Sequence, residues 1–292
     1  MGTGYWDPRC RIQDTGCRFL RPSVEYSIIA SWILNLESCI PEQPDQRPTG
    51  PRANGQTGTM SESDVIRFKQ QAAERAVAFV SSGMTLGLGT GSTVRFALEA
   101  IARRLHQGDL ERIEGVPTSI QTEHRARELG IPLITLNDRP MLDLTIDGAD
   151  EVDDDLNLIK GGGGALLREK IVAQASSRNI IIVDHSKCSS RLGTHWPVPV
   201  EVHATAWKGE TDFLASIGGR ISMRMAPSGV PQKTDNGNVI LDADFGPIAN
   251  PHDLNHQLNN RAGIMAHGLF LWLAADVIVA GKDGIRHLTK NV

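Results

Sequence analysis

The densest cluster of chemically useful groups runs from Lys160 to Lys170. Lys160 ends an apolar segment, and Gly161, Gly162, Gly163 and Gly164 follow. A helix-forming run then begins at Ala165 and carries Glu169 between Arg168 and Lys170. Successive glycines cost backbone entropy on folding, which is offset where backbone must approach something closely. The first N–H groups of a helix lack partners inside it and face the preceding loop. A bound anion or a developing oxyanion can rest there. Glu169, on the first or second turn, is near enough to act as a base at the same spot. The same residues also read as a turn before a surface helix, with Glu169 solvated between two cations, and spacing alone leaves both open.

A second cluster is Gly87-Leu88-Gly89-Thr90-Gly91-Ser92-Thr93, between the apolar run Met84–Leu88 and helical spacing from Val94. Strand, Gly-Thr-Gly-Ser-Thr turn and helix make a phosphate cradle: glycines admit close approach, and hydroxyls and helix N–H groups donate. A dinucleotide fingerprint needs glycine at Ser92, and a P-loop needs Gly-Lys-Ser/Thr, so a sugar phosphate fits better than a nucleotide. A third cluster follows the strand-like Leu142–Ile146: Asp147, Gly148, Ala149, Asp150 and Glu151. Neighbouring Asp153, Asp154 and Asp155 lack calcium-loop spacing and read as a solvated turn. No paired histidines offer a transition-metal site. Lys187 follows the β-branched run Ile180–Val183 and places another cation just past a strand end.

The elements that must position these groups alternate. Helical spacing over Val65, Phe68, Ala72, Ala76 and Phe79, with Lys69 beside it and Gly83 as its stop, precedes the first strand. Val116–Ser119, a helix over Gln121–Leu129, a strand at Ile131–Leu136, the Leu142–Ile146 strand, a helix over 165–178 and the Ile180–Val183 strand come next. Such alternation predicts an α/β fold, a parallel sheet with helices on both faces, and ligands then bind beyond the carboxyl ends of its strands. From about Gly193 the pattern changes to a smaller α+β unit. It holds a strand at Val198–Val202, expected at an edge because of Pro199, a helix over Ala206–Ile217, strand residues Arg220–Met225, the turn Asp235–Asn238 before Val239–Leu241, and a helix near His252–Leu258. Gly268–Leu273, Val277–Ala280 and Ile285–Leu288 are expected to return to the first domain.

The resulting division is an N-terminal extension at 1–59, a catalytic domain at 60–192 completed by about 268–292, and a small α+β domain at 193–267. The extension is read as disordered. It balances six arginines against six acids, unlike an acid-poor transit peptide, and Met60 reads as a natural start. A net charge of -4 without a basic stripe argues against nucleic acid. The apolar run Ser27–Leu36 is too short to span a membrane. Cys10, Cys17 and Cys39 lie in the extension, and Cys188 alone lies beyond it. This usage fits a reducing, cytoplasmic setting rather than a zinc site, and Cys188 reads as a plain thiol.

Five segments together resemble the ribose-5-phosphate isomerase type A family in order and spacing. They are Gly87–Thr93, Ile146–Glu151, Lys160–Ala165 with Arg168–Lys170, Val183–Lys187 and Thr234–Val239. The resemblance covers about 61–292. It implies a Rossmann-like domain with a smaller lid domain, and interconversion of ribose 5-phosphate and ribulose 5-phosphate in the non-oxidative pentose phosphate pathway. It also implies a homodimer or homotetramer in the cytoplasm, with no metal, nucleotide or other cofactor. It implies that Glu169 transfers the proton. Asp147 and Asp150, with Gly148 and Ala149 between them, face the sugar hydroxyls, and Asp147 assists ring opening. Lys160 and the amides of Gly161, Gly162 and Gly163 face the enediolate oxygen. Thr90, Gly91, Ser92 and Thr93 line the site, with Ser92, Thr93, Lys69 and Lys187 toward the phosphate. Gly164 stands where alanine is common, and His185 where a small residue is common.

The chemistry accounts for the same residue types. One carboxylate can take a proton from one carbon and return it to the next, provided preorganised donors hold the oxyanion. Arg168 and Lys170, adjacent to Glu169, are expected to make it a poorer base, with desolvation offsetting them. Two other classes share the pattern: a phosphosugar-sensing module, which needs no base, and an aminosugar-phosphate deaminase, which would release ammonia.

Overall fold

The computed structural model describes residues 61–290, and the expected extension at 1–59 lies outside them. The described residues start with α1 (Glu62–Val77), whose N-cap Ser61 accepts from Asp64 N–H. The chain continues through β1 (Thr85–Leu88), α2 (Val94–Gln107), β2 (Glu114–Pro117), α3 (Ile120–Glu128), β3 (Leu144–Asp147), β4 (Glu151–Val152) and β5 (Leu158–Ile159). Next come α4 (Leu166–Gln174), β6 (Asn179–Asp184), β7 (Val198–Val202), α5 (Trp207–Ser216), β8 (Arg220–Met223) and β9 (Val239–Asp244). The chain closes with α6 (Pro251–Asn259), β10 (Ile264–His267), β11 (Leu269–Phe270), β12 (Asp276–Gly281) and β13 (Gly284–Thr289).

Six strands form the main sheet in the order β13-β12-β6-β3-β1-β2. All neighbours are parallel except the antiparallel β12–β13 hairpin at one edge. The buried β-branched and leucine side chains of β1, β3, β6 and β12 pack against the alanine-rich faces of α1 and α2. β1 leads to β2 on one side while β3 lies on the other, so the connections diverge between β1 and β3. A crevice opens beyond the carboxyl ends of strands at such a point. The turn after β1 and the acids after β3 meet there.

A second sheet, β10-β7-β9-β8, is antiparallel throughout. Its core joins Val198, Val200, Val202, Leu241 and Ala243 to Leu214, Leu254 and Leu258 of α5 and α6. A three-stranded sheet, β11-β5-β4, links the two. Of the segments expected to return to the first domain, β12 and β13 join the main sheet, whereas Leu269–Phe270 pairs with β5 in this linking sheet.

Four local expectations need correction. Ile131–Leu136 forms no strand, meeting β2 only through a bridge from Leu133 to Gly115. The β7 strand is interior, paired on both sides, despite Pro199. In an extended strand N and O of one residue point the same way. Pro199 O accepts from Gly268 N–H, and Gly268 O takes the Lys160 N–H in place of the one proline lacks. The helix expected over 165–178 stops at Gln174, where Ser176 Oγ bonds back to Val172 O. Finally, α1 ends at Val77, and Gly83 serves a later turn at φ +86°.

Candidate active site

At the crevice, the chain brings three separated segments around one lysine. Lys160 Nζ lies 3.1 Å from Asp147 Oδ2 and 3.1 Å from Glu169 Oε1, and donates to Gly148 O at 2.5 Å. All three side chains are buried, at 3–4% exposure. Burial disfavours the lysine charge, but Asp147, Glu169 and Asp150 more than offset it and leave the ammonium harder to deprotonate than usual. Burial pushes the Glu169 carboxyl up to about 8 against the pull of Lys160, with nearby Asp147 adding to the rise. Burial also raises Asp147, opposed by Lys160 and by N–H groups of Gly148 and Thr90. Two carboxylates thus share one fixed cation.

The two oxygens of Glu169 differ. Oε1 faces Lys160, while Oε2 is buried with no hydrogen-bond partner among the described residues. A buried carboxylate oxygen left unpaired is costly, and here it belongs to a side chain bordering a cleft of about 140 Å³. The same cleft is bordered by Lys69, Thr90, Gly91, Ser92, Thr93, Gly148, Ala149, Asp150, Lys160, Gly161, Gly162, Gly163 and Lys187. A larger cavity of about 370 Å³, lined by Val116, Leu133, Ile134 and Ile171 among others, is mostly apolar and borders none of the Lys160 cluster.

The expected site residues take up different places around the cleft. Asp147 does not border the cleft: its Oδ1 accepts from Thr90 N–H and Gly148 N–H, and its Oδ2 holds Lys160. It packs against Gly89, where a Cβ would come within 2.3 Å of its carboxylate. Asp150 is the acid that borders the cleft, and it accepts from Gly162 N–H at 2.7 Å. A Cβ on Gly162 would meet that carboxylate at 2.6 Å, so any side chain there would displace Asp150. With the Gly164 amide turned to Gly161 O, the Gly161 and Gly163 amides are the loop donors left without partners among the described residues. The Thr90 hydroxyl is not available either. It lies 2.7 Å from Thr118, 2.9 Å from Ser119 and 3.2 Å from Thr122, in a network closing on the carbonyls of Leu88 and Gly89. Asp153 accepts from the N–H groups of Asp155 and Asn157, while Asp154 and Asp155 are exposed.

At the far end of the cleft, Lys69 donates to Ser92 Oγ at 2.9 Å. The amides of Gly91, Ser92 and Thr93 have no partner among the described residues, and they sit at the positive end of α2. The Lys187 ammonium lies 5.0 Å from the Trp196 ring centre. Trp196 belongs to a loop whose four amides, residues 193–196, converge on the buried Glu151 carboxylate. Free helix-terminal amides and the ammonium groups of Lys69 and Lys187 thus border one cleft, the donor set an anion needs.

Sequence reasoning missed the supports. Arg224 on the chain just past β8 donates to Gly161 O and Gly162 O while pairing with Asp242. Asp235 in the β8–β9 turn accepts from Ile120 N–H and faces Arg168, which also bonds Asn236. Apart from the Arg224–Asp242 pair, these contacts join residues 62 to 115 positions apart, and no local pattern marks them. Thr118, Ser119 and Thr122, which surround the Thr90 hydroxyl, lie 28 to 32 positions from it. The cations adjacent to Glu169 also act elsewhere: Arg168 reaches the turn, and Lys170 reaches the carbonyls of His267 and Leu269. The cation beside Glu169 is Lys160.

Among the described residues, no group of three or more His, Cys, Asp or Glu could hold a metal ion, and no helix is long and apolar enough to cross a membrane.

Comparisons with known proteins agree with one another. The family model for ribose 5-phosphate isomerase A (phosphoriboisomerase A) matches residues 114–284. A ribose-5-phosphate isomerase A from Desulfatibacillum aliphaticivorans is 55% identical over 229 residues, covering 78% of this chain and 99% of its own. A solved D-ribose-5-phosphate isomerase in complex with phospho-erythronic acid is 39% identical, with a TM-score of 0.76, covering 77% of this chain and 99% of that one. The ribose 5-phosphate isomerase from Plasmodium falciparum is 40% identical, with a TM-score of 0.75, covering 78% and 100%.

Proposed function

The chain belongs to the ribose 5-phosphate isomerase A family and interconverts ribose 5-phosphate and ribulose 5-phosphate in the pentose phosphate pathway; from that premise, we propose that Glu169 is the base that carries the proton. Oε2 takes the C2 proton of the open-chain aldose and returns it to C1, while the hydroxyl hydrogen of O2 passes to O1. The C1 carbonyl becomes a hydroxyl and the C2 hydroxyl becomes a carbonyl, so the atoms balance without an added redox partner. The negative charge of the enediolate intermediate faces Lys160 and the unpaired amides of Gly161 and Gly163.

Asp150 and the Gly148–Ala149 backbone border the sugar. Asp147 acts one layer behind, fixing Lys160 and the Thr90 turn; any help with ring opening passes through these groups. The phosphate rests on the Gly91–Thr93 amides with Lys69, Ser92 and Lys187. Its binding energy, remote from the reacting carbons, holds the sugar in register. The unpartnered Glu169 Oε2 carries this reading. Replacing Glu169 with Gln tests it: phosphosugar binding should persist while exchange of the C2 hydrogen with solvent stops. The same reading takes the working enzyme to be a cytoplasmic homodimer or homotetramer. Sedimentation at assay concentration measures the assembly, and a monomer mass would refute that part.

A further inference from the structure

Lys170 is a partly buried lysine that the reaction does not use. Its Nζ donates to His267 O at 2.7 Å and to Leu269 O at 3.0 Å, the two carbonyls that flank Gly268 where β10 passes into β11. The peptide between them is already engaged, because Gly268 O accepts the Lys160 main-chain N–H at 2.9 Å and Gly268 N–H donates to Pro199 O. The segment 267–269 therefore holds Lys160 by its backbone and α4 by the Lys170 side chain. Phe270, the next residue, lies 5.6 Å from Lys160 Nζ and 4.9 Å from Lys170 Nζ. Glu169 is the residue between these two attachments.

Helix α4 needs such a tether. Its buried face includes the charged Glu169, while the apolar Ile171 is 46% exposed, so hydrophobicity alone does not choose this rotation. Successive residues point about 100° apart around a helix. Arg168 is drawn to the β8–β9 turn and Lys170 to the β10–β11 crossing, which leaves Glu169 aimed at the cleft. Among the described residues no carboxylate contacts Lys170, and burial pulls its amine down to about 7. In either protonation state the amine has an N–H for each of the two carbonyls, so the hydrogen bonds, not the charge, make the tether.

We propose that Lys170 is a positioning residue, which sets the Glu169–Lys160 distance by tying α4 to the same strand crossing that holds the Lys160 backbone. This rests on Glu169 being the base. The test is Lys170→Met, which keeps length and apolar stem but no donors. A folded variant should lose kcat by about ten- to hundredfold, as a displaced catalytic group does, with KM changed by less than about threefold. Combined with Glu169→Gln it should cause no further loss. Unchanged kcat with only a lowered Tm, a KM rise that accounts for the loss, or full additivity with Glu169→Gln would overturn the proposal. If Lys170→Met does not fold, Lys170→Gln, one bond shorter, weakens the tether instead. A fall in kcat at constant KM supports positioning, and a fall in Tm alone refutes it. An active Glu169→Gln enzyme would refute the base assignment itself, which separates the two failures.

Discussion

Lys160 Nζ stands 3.1 Å from Glu169 Oε1, while Oε2 of the same carboxylate is buried without a hydrogen-bond partner among the described residues. One oxygen is anchored and the other is left for a substrate hydrogen. The geometry separates holding the base from using it.

Glu169→Gln keeps the shape and the contact with Lys160 but removes the proton acceptor. Its kcat should fall by about 10²–10⁴-fold, the usual worth of a positioned base, with KM changed by less than about threefold. Initial rates and deuterium uptake from solvent at C2 measure this. Wild-type exchange in the variant would show that another group moves the proton.

The pH dependence follows from burial of Glu169. A base works only when ionised, so kcat/KM of the free enzyme should rise with pH through about 8. Stability runs the other way. The folded protein binds this proton more tightly than the unfolded chain does. The contribution is fully present below the ordinary 4.5 and is lost as pH rises through about 8. Glu169→Gln should flatten that part of the Tm–pH curve. An activity limb near 4.5 would contradict the buried environment.

Adjacent glycines should respond differently to alanine. At Gly162 a Cβ would collide with Asp150 at 2.6 Å, whereas at Gly163 the nearest atom is a Thr90 methyl at 3.7 Å. Gly162→Ala should displace Asp150, costing stability of about 1–3 kcal/mol for the strained contact and most of the activity. Gly163→Ala should stay within about tenfold of wild-type kcat. Denaturant melts and steady-state kinetics on the pair decide the matter, and equal effects would count against the close approach.

Arg224 joins the glycine loop to the second sheet. Arg224→Met leaves the carbonyls of Gly161 and Gly162 and the carboxylate of Asp242 without it. We expect about 1–3 kcal/mol of lost stability, with a drop in kcat as the loop loosens. Adding Asp242→Leu should recover stability but not activity, because only the loop contact serves the site. Recovery of both would mean that Arg224 acts only within its sheet.

Lys69 and Lys187 border the cleft, and the proposed reading turns both toward the phosphate. Lys69→Met and Lys187→Met should each raise KM by about tenfold, the scale of a charge-assisted hydrogen bond, and leave kcat largely intact. The KM of each variant should also depend less on salt. A fall in kcat at constant KM would place the lysine at the chemistry instead.

Much of the site was legible before the fold. Gly87–Thr93 declares its turn through glycine and hydroxyl residues flanked by apolar runs, and these are local signals. Glu169 was legible as a candidate base because a helix-forming run follows four glycines. What misled was adjacency. Arg168 and Lys170 touch Glu169 in sequence, but helical rotation sends them to the β8–β9 turn and to the β10–β11 crossing. Asp147 and Asp150 were both expected to face the sugar hydroxyls, Asp147 also assisting ring opening. One lies against Gly89 behind the cleft and the other borders it, a difference set by how β3 abuts β1. Pro199 suggested an edge strand, yet the acceptor it leaves, Gly268 O, is filled by Lys160 N–H from another element.

The amino-acid sequence alone determined the alternation of strands and helices, the two glycine-bearing turns and the reactive groups, because periodicity and turn chemistry act over a few residues. Only the tertiary structure decided that Lys160 is the partner of Glu169, that Asp147 stands behind it, and that Arg224 holds the loop. Those pairings depend on strand order and register, which the packing of the whole chain settles.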